Sequence, residues 1–235
     1  MQVVLLLTLL SLGLVVKQSL PVPQETMTYW TESTQAMSEY QDLLKRIAEE
    51  KDTSPALIQQ AMDKIAFHES FNSTLGRGII PDRVQGGGGP GRGAFQYEKG
   101  GAEDSAAVAL RRLKNYYTRN EQPIPSWAAE LDDTFDPAEL TLDQQRMLFL
   151  VDHRERPSSD FKKLEEMSIA EWWGKYHQTE SDPEKIKVFK KHEKLFDTYQ
   201  NEDLMGLGDI DIEEVQPSEL QATPGFFDRL FNIFR

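Results

Sequence analysis

The residues of this chain most able to do chemistry are His68-Glu69-Ser70 and, after a glycine-rich stretch, Gly91-Arg92-Gly93-Ala94-Phe95-Gln96. Ile58, Met62 and Ile65 precede Glu69 by eleven, seven and four residues. At about 3.6 residues per turn these spacings put all four on one face of a helix. A glutamate on an apolar face loses hydration, which disfavours its charged form and raises its pKa. A carboxylic acid that stays protonated near neutral pH is what protonation of a glycosidic oxygen requires. The same spacing leaves a plainer reading open, in which Glu69 is the last solvent-facing residue of its helix or an ion-pair partner of Arg77 or Arg92. His68 points about 100° away from its neighbour and reads as a packing residue.

A second group is Glu171-Trp172-Trp173-Gly174-Lys175-Tyr176-His177-Gln178. Trp173, Tyr176 and His177 at helical spacing could stack on sugar rings as a cleft wall. Equally, Trp173 and Tyr176 could be core and His177 a helix C-terminal residue favoured by the dipole. Asp82, Glu98 and Asp104 are the candidates for a second carboxylate, or else loop and helix-start charges, Asp104 suiting a helix N-terminus.

The elements that position these residues read as helices. Residues 30–50 carry Met37, Tyr40, Leu43, Leu44 and Ile47 at helical spacing. Asp52-Thr53-Ser54-Pro55 is a start signal, a capping side chain followed by proline in the first turn. The helix after it should end near Phe71-Asn72. Residues 73–93, with Gly86 to Gly89, predict a loop or a short β-excursion. Further helices are expected over 102–118, from Thr141 or Leu142 to His153 with Thr141 as cap, over 168–177 and over 183–199. The fold class is mainly α.

The segment 55–120 resembles the lysozyme-like superfamily, in its soluble lytic transglycosylase and goose-type lysozyme branch. That branch has a Glu-Ser pair at a helix end, then a loop, then a Gly-x-x-Gly-[Leu/Phe]-[Met/Phe]-Gln turn. Some bacteriophage versions carry Gly-Pro-Gly-Arg-Gly-x-Phe-Gln-[Tyr/Phe]-Glu, here Gly89 to Glu98. The resemblance implies a lysozyme-like (α+β) helical domain with an irregular Gly-rich loop or short β-excursion at its active site. It implies Glu69 as general acid/base, Ser70 supporting it or the sugar, and Gln96 bonding substrate with Phe95 and Tyr97 beside it. Arg92 would reach a carboxylate, either Glu69 or a peptide-stem acid. The substrate would be the MurNAc-GlcNAc bond of peptidoglycan glycan strands, without metal or cofactor, in phage lysis or in a virion-associated enzyme. Two departures stand out: the Glu69–Gln96 gap is longer than the family's, and the turn is Gly-Arg-Gly-Ala-Phe-Gln. The alternative is a structural virion or envelope protein of lysozyme-like shape without catalysis.

Composition narrows the classes. The 235 residues carry a net charge of −13, 39% hydrophobic residues and no cysteine. This argues against a nucleic-acid binder and excludes disulfides, thiol nucleophiles and Cys-ligated zinc. The four histidines make no HxxxH or HxH pair, so no metal site is expected. Residues 1–16 are uncharged and apolar, so 1–20 read as an export signal or membrane anchor. The remaining expectation is a linker over 21–29, a catalytic domain over 30–200 and a tail over 201–235. That tail holds eight acids against two arginines and ends in Phe226–Phe234, an amphipathic segment for a virion or membrane partner, or for its own domain. The expected location is the bacterial periplasm or envelope, or the phage virion.

Overall fold

The most extensive helix packing in the molecule is made by α5 (Leu142–Glu155). Its start is fixed by a capping box. Gln144 N–H donates to Thr141 Oγ1 at 3.3 Å, and Thr141 N–H donates to Gln144 Oε1 at 2.9 Å. Every residue from Met147 to His153 is buried, the polar Asp152 and His153 included, so this stretch of the helix is covered on all sides. It packs on α1 (Gln24–Glu50) and α3 (Ser105–Arg119), and α2 (Pro55–Ser70) packs on α1. The computed structural model describes residues 24–71, 78–100, 105–178 and 182–205, with side chains described within 34–200.

Helix α1 buries Tyr40, Leu43, Leu44 and Ile47 as the periodicity predicts, but Met37 is 51% exposed. Ala36 and Tyr40, one helical turn apart, take the buried row, and Met37 falls outside it. The helix also begins at Gln24, so most of the expected 21–29 linker is helical. Its helix-breaking signal is confined to Pro21 and Pro23. Helix α2 starts at Pro55, but Ser54 makes no side-chain cap, and the helix stops at Ser70.

Helix α4 (Ser126–Glu130) is short, and 3₁₀ turns lie at Gly86–Gly88, Pro137–Glu139 and Phe161–Glu165. Helix α6 (Ile169–Trp172) opens directly into a π-helical turn over Trp173–His177. Helix α7 (Pro183–Met205) packs on α2 and α6 and runs five residues past the expected boundary at 200. The β-excursion is present. Strands β1 (Gly91–Arg92) and β2 (Tyr97–Glu98) pair antiparallel, and Val84 bridges to Arg92 on the other side. The molecule is mainly α.

Among the described residues no helix is long and apolar enough to cross a membrane. The expected signal or anchor over 1–20, Arg77, Asp104 and the Phe226–Phe234 segment lie outside the described residues.

Candidate active site

Glu69 sits in the last turn of α2 with its side chain 13% exposed. Its Oε1 accepts hydrogen bonds from Trp173 Nε1–H at 2.7 Å and Gln178 Nε2–H at 3.1 Å, and His177 Nε2 stands 3.6 Å from the same atom. Burial pushes the acid up to about 7, although the Trp173 and Gln178 donors and the charge of Lys185 on α7 all pull it down. The negative end of the α2 dipole acts in the same direction as burial. No arginine reaches this carboxyl among the described residues. Burial therefore holds the proton on the acid near neutrality, and the two groups that hydrogen-bond Oε1, Trp173 and Gln178, are neutral and offset burial only in part.

The donors arrive from the far end of the chain. A second capping box starts α6, with Glu171 N–H donating to Ser168 Oγ at 3.3 Å and Ser168 N–H donating to Glu171 Oε2 at 3.2 Å. The helix then widens, and Gln178 N–H donates to the Trp173 carbonyl five residues back at 3.0 Å. A π turn is rare and costs regular hydrogen bonding. Here it brings Trp173, His177 and Gln178, four and five residues apart, to one carboxyl oxygen.

The glycine-rich segment is held by Gln145, a buried polar residue on α5. Gln145 Oε1 accepts from Ala94 N–H at 2.6 Å, and its Nε2–H donates to the carbonyls of Pro81 and Leu140, both at 2.9 Å. A Cβ on Gly93 would lie 2.4 Å from Gln145 Oε1, and Gly93 has φ +77°, so no other residue fits there. Phe95 follows into the core, where its ring stacks on Phe149 at 4.5 Å between centroids. Phe149 in turn lies 4.3 Å from His153 and 5.3 Å from His177. The turn is thus linked, through Phe149, to the imidazole that faces Glu69.

The other expected site residues are distributed as follows. Ser70 does not touch the acid: its hydroxyl donates to the Ala66 carbonyl at 2.7 Å and accepts from Ile80 N–H at 2.9 Å, tying the loop to α2. Arg92 turns away from Glu69. Its Nη1 donates to the Gly91 carbonyl at 2.9 Å, and its Nε lies 3.7 Å from Asp136. Burial pushes Asp136 up, but the Ala138 N–H, Lys99 and Arg92 together hold it below the carboxylate range. Gln96 adopts φ +50° and donates to the Gly93 carbonyl at 2.7 Å, closing the turn between β1 and β2. Phe95, Tyr97, Trp173 and Tyr176 are all buried; they shape the site from behind, and none offers an open ring face for a sugar. Asp82 and Glu98 are exposed, and no second carboxylate contacts Glu69 among the described residues.

His68 packs among Trp173, Phe189 and His192, with ring centroids 4.6–4.8 Å away. No family model, curated protein or solved structure matches the chain. The site therefore rests on its own geometry. A hollow of about 440 Å³ opens between α1, the first half of α2 and α5, lined by Met37, Leu44, Pro55, Gln59, Asp63 and Arg146 among others. Gln59 is ten residues before Glu69, which is about 15 Å along a helix, and this hollow is separate from the acid. The described residues contain no group of three His, Asp or Glu able to hold a metal ion.

Sequence reasoning missed Gln178, Lys185, Gln145, His153 and Ser159. Gln178 stood at the edge of the aromatic cluster already singled out. Gln145 is detectable as an amide at the start of a helix whose following residues are apolar. Nothing in the sequence links Ser159 or Lys185 to Glu69.

Proposed function

We propose that this chain cleaves the MurNAc-GlcNAc glycosidic bond of peptidoglycan, with Glu69 as its single general acid/base, in a lysozyme-like domain. The observation that carries this reading is a nearly buried glutamate, held by neutral donors at one oxygen, whose pKa is raised to about 7. In the first step Glu69 gives its proton to the leaving glycosidic oxygen as the C1–O bond breaks. The substrate's own N-acetyl oxygen assists at C1, the role a second carboxylate would otherwise fill. Glu69, now ionised, takes a proton back from the attacking oxygen. If that oxygen is the sugar's 6-hydroxyl, the product is a 1,6-anhydro end; if it is water, the product is a reducing end.

The resemblance of Glu69-Ser70 and of Gly89 to Glu98 to phage versions of the family supports a role in lysis or in wall opening by the virion, at the periplasm or envelope. A gel zymogram on purified cell wall compares the wild type with Glu69→Gln. Clearing should fall by about 10²–10⁴-fold, the usual contribution of general acid–base catalysis, with an unchanged circular dichroism spectrum. Equal clearing by both proteins, or none by the wild type, removes the assignment. Mass spectrometry of the released muropeptides separates anhydro from reducing ends.

A further inference from the structure

Behind Glu69 runs a row of polar side chains through the core. Ser159 Oγ lies 3.1 Å from His153 Nδ1, His153 Nε2 lies 3.0 Å from His177 Nδ1, and His177 Nε2 faces Glu69 Oε1 at 3.6 Å. His153 is fully buried and Ser159 is 6% exposed. Groups from every packed element bear on this row. Asp152 on α5 is bonded to Arg112 of α3 and to Arg156. Arg156 reaches the Tyr176 carbonyl of the π turn at 3.5 Å. His68 of α2 and Lys185 of α7 approach from the other side.

Both imidazoles are neutral. Burial first, then the positive Arg156, lowers His177 to about 3. Burial, then Arg156, His177 and Arg112, holds His153 well below its ordinary value. A neutral imidazole has one donor nitrogen and one acceptor nitrogen, so each choice of tautomer dictates the next. Oε1 already accepts from Trp173 and Gln178, and a lone pair on His177 Nε2 would repel it. Glu69 Oε1 therefore favours Nε2–H on His177, and a donor from His153 at the His177 Nδ1 fixes that form. His153 must then donate from Nε2 and accept at Nδ1, and the Ser159 hydroxyl must donate.

We propose that Ser159, His153 and His177 are positioning residues: they form a one-way donor chain that points the His177 Nε2–H dipole at Glu69 Oε1 and reserves Oε2 as the oxygen that carries the catalytic proton. The role given to that proton rests on the glycan-cleavage reading, but the chain is measurable without substrate. Its consequence is an acid with a fixed orientation. Two hydrogen bonds and the His177 Nε2–H dipole, 3.6 Å away, converge on one oxygen, and the other is left to meet the leaving group.

Long-range ¹⁵N NMR of the imidazoles in the resting full-length protein tests this. At pH 6 and pH 8 both His153 and His177 should show the neutral Nε2–H form. His153→Phe keeps an aromatic ring against Phe149 and Trp172 but removes the donor to His177. His177 should then become a tautomer mixture, and the Glu69 carboxyl midpoint, followed by ¹³C NMR, should rise by about half a unit to one unit. Ser159→Ala should produce the same change to a smaller extent, and Ser159→Thr, which keeps the hydroxyl, should restore the wild-type signals. An Nδ1–H or doubly protonated His177 in the wild type overturns the chain, as does a Glu69 midpoint indifferent to both His153→Phe and Ser159→Ala. Should His153→Phe fail to fold, the wild-type tautomers and Ser159→Ala decide. Because none of these signals depends on turnover, a zymogram without clearing counts against glycan cleavage alone.

Discussion

Asp152 and Glu69 are both withdrawn from water, and the protein treats them in opposite ways. Asp152, 1% exposed, receives Arg112 on one oxygen and Arg156 on the other. Glu69, 13% exposed, receives hydrogen bonds from an indole and an amide and faces an imidazole at 3.6 Å, none of them charged. A buried carboxylate given full countercharges is a structural fixture, because its ionised form is compensated. A buried carboxyl given only dipoles stays poised between its two forms, as a group that must release and recover a proton has to be. The two are adjacent links of one assembly: Arg156, paired with Asp152, also keeps the histidines behind Glu69 neutral.

The comparison breaks most sharply under amide substitution. Asp152→Asn leaves Arg112 and Arg156 without their counterion and should cost about 3–5 kcal/mol, lowering Tm by roughly 10 °C in a chain of this size. Glu69→Gln should do the reverse above neutrality. The folded pKa of Glu69, about 7, is raised above its ordinary 4.5, so the native state binds the extra proton between those values. Its favourable contribution is complete below pH 4.5 and is lost as pH rises through 7, at a cost of about 3 kcal/mol. The neutral glutamine escapes that loss. Denaturant unfolding should show Glu69→Gln more stable than wild type by about that amount at pH 8.5, with the gap closing at pH 4. The buried histidines run the opposite way, costing stability as pH falls below 6.5, but they are common to both proteins and cancel in the difference. A gap that is absent at pH 8.5 would mean that Glu69 is compensated like Asp152 after all.

Sequence made one half of this contrast legible. The spacing of Ile58, Met62 and Ile65 before Glu69 is a local property of one helix, and it foretold the dehydration. The capping of α5 by Thr141 and the core stripe of α1, apart from Met37, were visible for the same reason. What stayed hidden depends on partners remote in the chain. Trp173 read as a sugar platform or as core, and it is a hydrogen-bond donor to an acid 104 residues away. The π turn that aims it has no signature in composition. Arg92 read as a partner for Glu69 by proximity of motifs, yet Asp136, displayed by the 3₁₀ turn at Pro137–Glu139, claims it. The glycines around Arg92 were recognisable as a motif, while the reason for Gly93 is the Gln145 amide pressed against it.

The finest test of the comparison leaves Glu69 in place and removes one dipole. Trp173→Phe keeps a ring against His68 and Phe189 but deletes the indole N–H that reaches Oε1 at 2.7 Å. A hydrogen bond to a charged group contributes about 1.5–3 kcal/mol, and it favours only the ionised form, so its loss should raise the Glu69 pKa by about one to two units. The general acid must be protonated to act, so the alkaline limb of the pH–activity profile should move upward by the same amount, with less change at its acid end. The same shift should appear in the ¹³C titration of the resting protein, where turnover plays no part. A limb that stays fixed while the carboxyl midpoint moves would separate the group that limits activity from Glu69. A midpoint that stays fixed would mean that the indole packs against the acid without stabilising its charge, and the neutral donors would then lose their part in the distinction from Asp152.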